Sequence, residues 1–200
     1  RQWSLVGSEM CIRDSYGAGQ LARRLNLPFR SGGGLCGSKL PDAQAAYESA
    51  NTLNAALLGG VNFMLHACGW LEGGLVSSFE KFVMDADQLG ILHQMAKGVE
   101  MDVNAQALDA IREVGPGGHY LGCAHTQANF QSAFWRTDLF DYKPFETWQE
   151  EGSLDTMNLA SQRVKYLLDN YAKPSLEISV EEALTSFVEN KKASMPDSFT

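Results

Sequence analysis

Residues that could do chemistry concentrate between Gly59 and Glu80, in the stretch GGVNFMLHACGWLEGGLVSSFE. An apolar run, Val61-Asn62-Phe63-Met64-Leu65, ends on His66. Gly69, Trp70, Glu72, Gly73 and Gly74 follow, and a helical pattern starts near Ser77-Ser78. A strand, a polar residue at its C-terminal end, a glycine-rich loop and a helix form the unit from which α/β barrels and doubly wound sheets are built. Both architectures bind ligands beyond the C-terminal ends of their strands. His66, Trp70 and Glu72 therefore occupy the expected place for chemistry. On spacing alone, a lone histidine after a strand is more often a hydrogen-bonded structural residue than a catalyst.

Three constellations compete for a role. Cys36, His66, Cys68, His119, Cys123 and His125 are all zinc-ligand types, and a catalytic zinc needs three ligands and an open position. His66 and Cys68 share one face of an extended strand, but the His119-xxx-Cys123-x-His125 spacing is not a standard ligand pattern and the residues fall in separate loops. Trp70, Tyr120, Phe130, Phe134 and Trp135 could supply aromatic faces for a cation, with Glu72 or Glu80 as counter-charge. The commoner role of such glutamates is surface charge or helix N-terminal capping. Cys36 and Cys68 could serve as thiol nucleophiles, although a buried structural cysteine is commoner, and no GxSxG elbow is present. A further feature is Ser31-Gly32-Gly33-Gly34. Three glycines let a backbone approach a ligand closely. Neither phosphate-binding signature is present, so a plain flexible loop is an equal alternative.

The elements that must position these residues alternate. Residues 17–26 read as a short helix and Leu27 to Arg30 as a strand. A helix opens at Pro41-Asp42 and runs to Leu58, with Ala45, Ala46, Ala50, Leu53 and Leu57 in helical period and Gly59-Gly60 as its stop. After the central strand, a helix spans about Ser78 to Lys97. Its expected apolar face is Phe82, Leu89 and Leu92, widened by Phe79, Val83 and Ala86. The order αβαβα implies parallel strands with right-handed crossovers. Asp102 to Val114 read as another helix with Asp102 as N-cap. Gly115 to Phe130 read as a short final strand around Tyr120-Leu121 and a loop. From Thr126 the chain turns helical and aromatic, a stripe (Phe130, Phe134, Trp135, Phe140, Tyr142, Phe145, Trp148) expected in a core or a subunit interface. An amphipathic helix over 153–171 and a last helix with a capping-box-like start at Ser179 complete the chain.

Composition narrows the class. The 200 residues are 44% hydrophobic, enough for a core, and carry a net charge of −8. The pI is about 5.0, which argues against a nucleic-acid partner. No basic amphipathic helix, spanning apolar run or signal peptide is seen, so a cytoplasmic chain with no membrane association is expected. The cysteines, widely spaced and without a CxxC pair, fit a reducing compartment.

Residues 1–15, RQWSLVGSEMCIRDS, show no clear period. They resemble a translated adapter or vector read-through, and are expected to be non-native; on that reading the protein is truncated upstream.

From about Tyr16 to Lys192 the chain resembles the C-terminal part of the trimethylamine methyltransferase family. The resemblance rests on YGAGQLARRLNLPFRSGGG, SKLPDAQAAYESANTL, LLGGVNFMLHACGWLEGGLVSSFEKFVMDADQLG and DAIREVGPGGHYLGCAHTQANFQSAFWR. It implies an α/β fold: residues 16–145 as the last βα units of a TIM (β/α)8 barrel, and 146–200 as a C-terminal helical extension. It implies a methyltransferase that moves a methyl group from a methylated or quaternary amine to a cobalt(I) corrinoid carried by a small partner protein, with no metal bound directly. No residue is written as pyrrolysine, so the chain looks like the non-pyrrolysine branch, similar to glycine betaine methyltransferases. The resemblance places Gly32, Gly33, His66, Trp70 and Glu72 at the substrate and His119 and His125 at the corrinoid, and leaves the catalytic residue unknown. A homo-oligomer is expected at full length, and the chain alone is expected to be inactive. Two alternatives stand beside this: a non-catalytic binding module for betaine-like cations, and a zinc-dependent methyltransferase.

Overall fold

The computed structural model describes residues 9–195 and divides into two compact units, 1–166 and 167–200. In the first unit, helix α1 (Glu9–Arg24) packs on helix α2 (Ala43–Leu58). The approach is close: a Cβ on Gly19 would stand 2.3 Å from the Gly59 carbonyl oxygen, and the Arg23 guanidinium donates to that same oxygen. α1 thus starts earlier than the helix expected over 17–26 and reaches into segment 1–15; residues 1–8 of that segment lie outside the described residues.

The expected βαβ unit forms. Strand β1 (Arg30–Gly32) pairs in parallel with β2 (Phe63–Leu65), in the register Arg30–Phe63, Ser31–Met64, Gly32–Leu65, with α2 as the crossover. Both strands start later than the apolar runs suggested. Ahead of the ladder, the Phe29 N–H donates to Oδ1 of Asn62 at 2.8 Å instead of to a strand neighbour. Met64 and the bare Cα of Gly33 face the helix layer, where a Gly33 Cβ would meet Leu53 at 2.9 Å and the Met64 sulfur at 3.1 Å. Phe63 alternates to the opposite face and is exposed.

Asp42 caps α2, accepting from the Ala45 N–H at 3.0 Å, and Ser78 caps helix α3 (Phe79–Ala96), accepting from the Lys81 N–H. The buried face of α3 corrects the sequence expectation. Lys81, Asp85 and Leu92 are buried, whereas Phe79 and Phe82 are exposed. An ion pair with hydrogen-bond partners inside the fold displaces the aromatic side chains from the interior. Between β2 and α3 the glycine-rich stretch is more ordered than a simple loop. Strand β3 (Trp70–Leu71) pairs antiparallel with β4 (Val76–Ser77) across a 3-10 turn over Glu72–Gly74.

Downstream, the helix expected over 102–114 is split into α4 (Val103–Gln106) and α5 (Leu108–Val114), because Ala107 takes a left-handed φ of 50°. Asp102 caps it as expected. The strand expected at Tyr120-Leu121 does not form; the stretch turns, with Gly115 at φ 64° and Gly117 at φ 79°. Helix α6 (Ala124–Asn129) ends before the aromatic stripe begins, the stripe is helical only at Phe145 and Trp148 in α7 (Phe145–Glu150), and Phe130, Phe134, Trp135, Tyr142 and Phe145 are exposed rather than in a core. Helix α8 (Thr156–Asp169) follows. In the second unit, helix α9 (Ile178–Ser194) begins at Glu177 without the expected capping box: the Ser179 hydroxyl donates to the Glu177 carboxylate instead. A Lys173–Glu181 ion pair lies at its start. Among the described residues no helix is long and apolar enough to cross a membrane.

The junction of the strand ends is the tightest point. Gly34, at φ +75°, follows β1, and a Cβ there would stand 2.5 Å from the Ala67 carbonyl oxygen and 3.1 Å from that of His66. Gly34→Ala therefore combines left-handed strain with overpacking and should cost about 3 kcal/mol. Gly117→Ala has the same φ problem with nothing within 4 Å, and should cost about 1 kcal/mol. Denaturant unfolding of both variants tests this; equal losses would contradict it.

Candidate functional site

The site is built where β1 and β2 end. Gly32 pairs with Leu65, and the Gly33 N–H extends the ladder to the Leu65 carbonyl oxygen at 3.0 Å. His66 comes next at φ 55° and Glu72 at φ 49°. Both are side-chain-bearing residues in left-handed backbone, a conformation that costs roughly 1–3 kcal/mol and recurs where function holds it in place. The turn at His66 carries the chain into the β3–β4 hairpin and brings the Trp70 indole edge-on to the imidazole, with ring centroids 5.8 Å apart and planes at 80°. His66 is exposed and Trp70 half-buried. Glu72 sits exposed in the 3-10 turn of the hairpin. Space is open around Gly32: an added Cβ would meet only the Leu65 carbonyl oxygen, at 4.0 Å.

The loop after β1 grips this hairpin. The Glu72 N–H donates to the Ser38 carbonyl oxygen at 2.8 Å and the Gly73 N–H to that of Cys36 at 2.7 Å. The Cys36 thiol donates to the Trp70 carbonyl oxygen at 3.1 Å. Cys36, Ala45 and Leu71 form a buried cluster beneath. Burial pushes the Cys36 thiol up, against the pull of the nearby Lys81 ammonium. Cys68 is pushed up to about 11 by burial and by the Asp85 carboxylate. Cys36, buried and bonded to the hairpin, is a structural thiol here.

Behind the loops lies a group that sequence reasoning missed. The Lys81 ammonium, 2% exposed, donates to Asp85 Oδ2 at 2.5 Å, to Ser49 Oγ at 2.7 Å and to the Gly34 carbonyl oxygen at 3.4 Å. The Ser49 hydroxyl donates to the same Gly34 oxygen at 3.2 Å, and the Gly34 N–H donates to Thr52 Oγ1. Asp85 Oδ2 also accepts from the Gly69 N–H at 2.8 Å. Burial pushes the Asp85 carboxyl up, opposed by the Lys81 ammonium and the Gly69 N–H. The only signal in the sequence is Lys-xxx-Asp at i,i+4, a spacing far more often seen on a solvated helix face. Ser49, Lys81 and Asp85 also line a cavity of about 400 Å³, together with Phe140 and with Asp155 just before α8.

The remaining candidates stand elsewhere. His119 is exposed in the turn after α5. His125 is half-buried on α6, and its Nε2 bonds the Asn104 carbonyl oxygen at 2.7 Å, tying α6 to α4. Cys123 caps α6, its sulfur accepting from the Thr126 N–H. Glu80 bonds Ser78 and Ser161 at the start of α3, and a Gly90 Cβ would meet the Trp135 ring at 2.6 Å, so that indole lies on α3. Among the described residues, no three His, Cys, Asp or Glu side chains gather to hold a metal ion, so the zinc set of six does not assemble. The ring pairs found are His66–Trp70 and Phe145–Trp148; the five aromatic residues considered for a cation cage are not brought together as ring pairs.

Two outcomes follow. Removing one member of a buried ion pair strands the other. Lys81→Met should therefore lower unfolding free energy by about 3–5 kcal/mol, and Lys81→Met/Asp85→Leu by less, measured as a double-mutant cycle in denaturant; additive losses would contradict the coupling. For Cys68, the unfolded thiol ionises near its ordinary 9.0 and the folded one near 11. The unfolded state thus sheds its proton first, and stability is full below pH 9 and falls as pH rises toward 11. Cys68→Ala should flatten that fall; an unchanged alkaline profile would contradict it.

Comparison with known proteins gives the chain's family. The family described as trimethylamine methyltransferase (MTTB) matches residues 5–196. A glycine betaine methyltransferase of Desulfitobacterium hafniense (strain Y51) is 42% identical over 92% of this chain and 38% of its own length. A trimethylamine methyltransferase MttB of D. hafniense (strain DSM 10664 / DCB-2) is 29% identical over 92% of this chain and 37% of its own. A proline betaine:corrinoid methyltransferase of Eubacterium limosum is 32% identical over 84% and 35%. The chain thus spans less than two fifths of the length of these relatives. With a match running from residue 5 to residue 196, the chain belongs to the trimethylamine methyltransferase family.

Proposed function

We propose that this chain is the C-terminal part of a methyltransferase that moves a methyl group from a quaternary amine to a cobalt(I) corrinoid on a small partner protein, and that β1, α2, β2 and α3 are among the last βα units of its (β/α)8 barrel. The observation that carries the reading is the His66–Trp70 ring pair at the C-terminal end of a parallel strand, where barrel enzymes keep their sites. The named substrates of the relatives support a methylated nitrogen, and identity to the glycine betaine relative (42%) exceeds that to the trimethylamine relative (29%).

The roles follow from chemistry. The Trp70 indole offers its face to the ammonium, an attraction worth up to about 2 kcal/mol when desolvated. Glu72 supplies a counter-charge on the same hairpin. His66 orients the substrate, donating to a carboxylate where the amine carries one. Gly32 leaves the substrate room beside the strand end, and Gly33 holds that strand against α2. The corrinoid, when bound, supplies the nucleophile that accepts the methyl group. The corrinoid is proposed to be presented from outside by its partner protein, as the name of the proline betaine:corrinoid relative suggests. His119 and His125 are proposed to face that acceptor, with His125 held by Asn104.

The test uses the full-length protein with cobalt(I) cobalamin and a panel of methylated amines, followed by absorbance. Methyl transfer from a quaternary amine is expected, with kcat/KM reduced about 30-fold by Trp70→Ala. Amine binding by calorimetry without transfer from any amine would favour a binding module for betaine-like cations instead.

A further inference from the structure

We propose that the buried Lys81–Asp85 pair is the positioning element of the site: it fixes the loops after β1 and β2 against each other and so sets where His66 and Trp70 stand. The inference rests on the methyltransfer reading for what is positioned, and on geometry alone for how.

Each member of the pair grips a different loop. Lys81 donates to the Gly34 carbonyl oxygen, two residues after Gly32, and Asp85 accepts from the Gly69 N–H, next to Trp70 in sequence. The two loops touch at the same place, since an added Gly34 Cβ would strike the Ala67 and His66 carbonyl oxygens. Gly34 and Gly69 are both at positive φ, so neither loop follows regular strand geometry there and each needs a partner for its backbone polar groups. An apolar pair at positions 81 and 85 would hold α3 on the sheet equally well, because a buried ion pair gains little net stability after desolvation. It would leave the Gly69 N–H without its acceptor and the Gly34 oxygen with Ser49 alone. What the charges add is direction: charge-assisted bonds of 2.5–2.8 Å at Asp85 Oδ2 hold one backbone atom in place. Thr52 and Ser49 complete the grip on Gly34 from α2. A second bond ties the entry of the hairpin to the start of α3: the Ser78 N–H, at the helix cap, donates to the Gly69 carbonyl oxygen at 3.0 Å.

The discriminating comparison, in the full-length protein, is Lys81→Met/Asp85→Leu against Lys81→Met/Asp85→Asn. Both lack the charges; only the second keeps an acceptor for the Gly69 N–H. Hydrogen exchange over residues 66–78 is expected to quicken about tenfold in the Leu variant and much less in the Asn variant. Misplacement of the ring pair by about 1 Å should lower kcat/KM about 100-fold in the Leu variant, with about tenfold recovered by Asn. Equal exchange and equal kcat/KM in the two variants would overturn the proposal. Ser49→Ala gives a second reading that survives a failure of the Leu variant to fold: it should quicken exchange over 30–38 and leave 66–78 unchanged, and no change over 30–38 counts against the clip. If the wild-type protein transfers no methyl group from any amine, the proposed function falls, and the exchange measurements still decide the positioning.

Discussion

A lysine ammonium and an aspartate carboxylate buried side by side on α3 constrain everything around them. Neither charge can stay in the interior unless its other bonding positions are filled. They are filled by a serine hydroxyl on α2 and by two backbone groups at the ends of two strands. The requirement to satisfy a buried charge thus becomes a requirement that helix, crossover and both post-strand loops meet at one point. It also explains why α3 turns Phe79 and Phe82 outward, against the simplest reading of its apolar period.

Once that point is fixed, the loops above it have little freedom. Gly34 admits no side chain because two carbonyl oxygens lie where its Cβ would be. His66 and Glu72 take left-handed backbone although neither is a glycine. Local strain of this kind persists only when surrounding bonds over-determine it, and at Glu72 the bonds that the Glu72 and Gly73 N–H groups donate to the Ser38 and Cys36 carbonyl oxygens do so. The result is an imidazole from the turn after β2 and an indole from the first strand of the hairpin, edge-on to each other at the end of a parallel strand. A stiff aromatic surface is what a cation without N–H groups requires, since it can be held by quadrupole and charge alone.

Much of this frame was legible in the sequence. The apolar run ending on His66, the glycine punctuation and the helix starts at Pro41-Asp42 and near Ser78 pointed to the βαβ unit and the location of Trp70. Three features were not. The β3–β4 hairpin is two residues per strand, too short for an alternation signal. The expected strand at Tyr120-Leu121 had the right residues, but Gly115 and Gly117 at positive φ turn the chain away. The Lys81–Asp85 pair was hidden because i,i+4 spacing of opposite charges is the mark of an exposed face; only the tertiary contact with Gly34 and Gly69 shows it to be interior. Within segment 1–15, expected to be non-native, residues 9–15 lie in α1 and residues 5–15 fall within the family match; the stretch shows no clear period from which that helix could be read.

The proposed function requires a methylated amine to seat on Trp70 beside His66. A crystal structure of the full-length protein with a quaternary amine bound tests it most directly. The ammonium nitrogen is expected within about 6 Å of the Trp70 ring centroid, with His66 and Glu72 lining the same pocket. An amine bound elsewhere, with the Trp70 face empty, would contradict it.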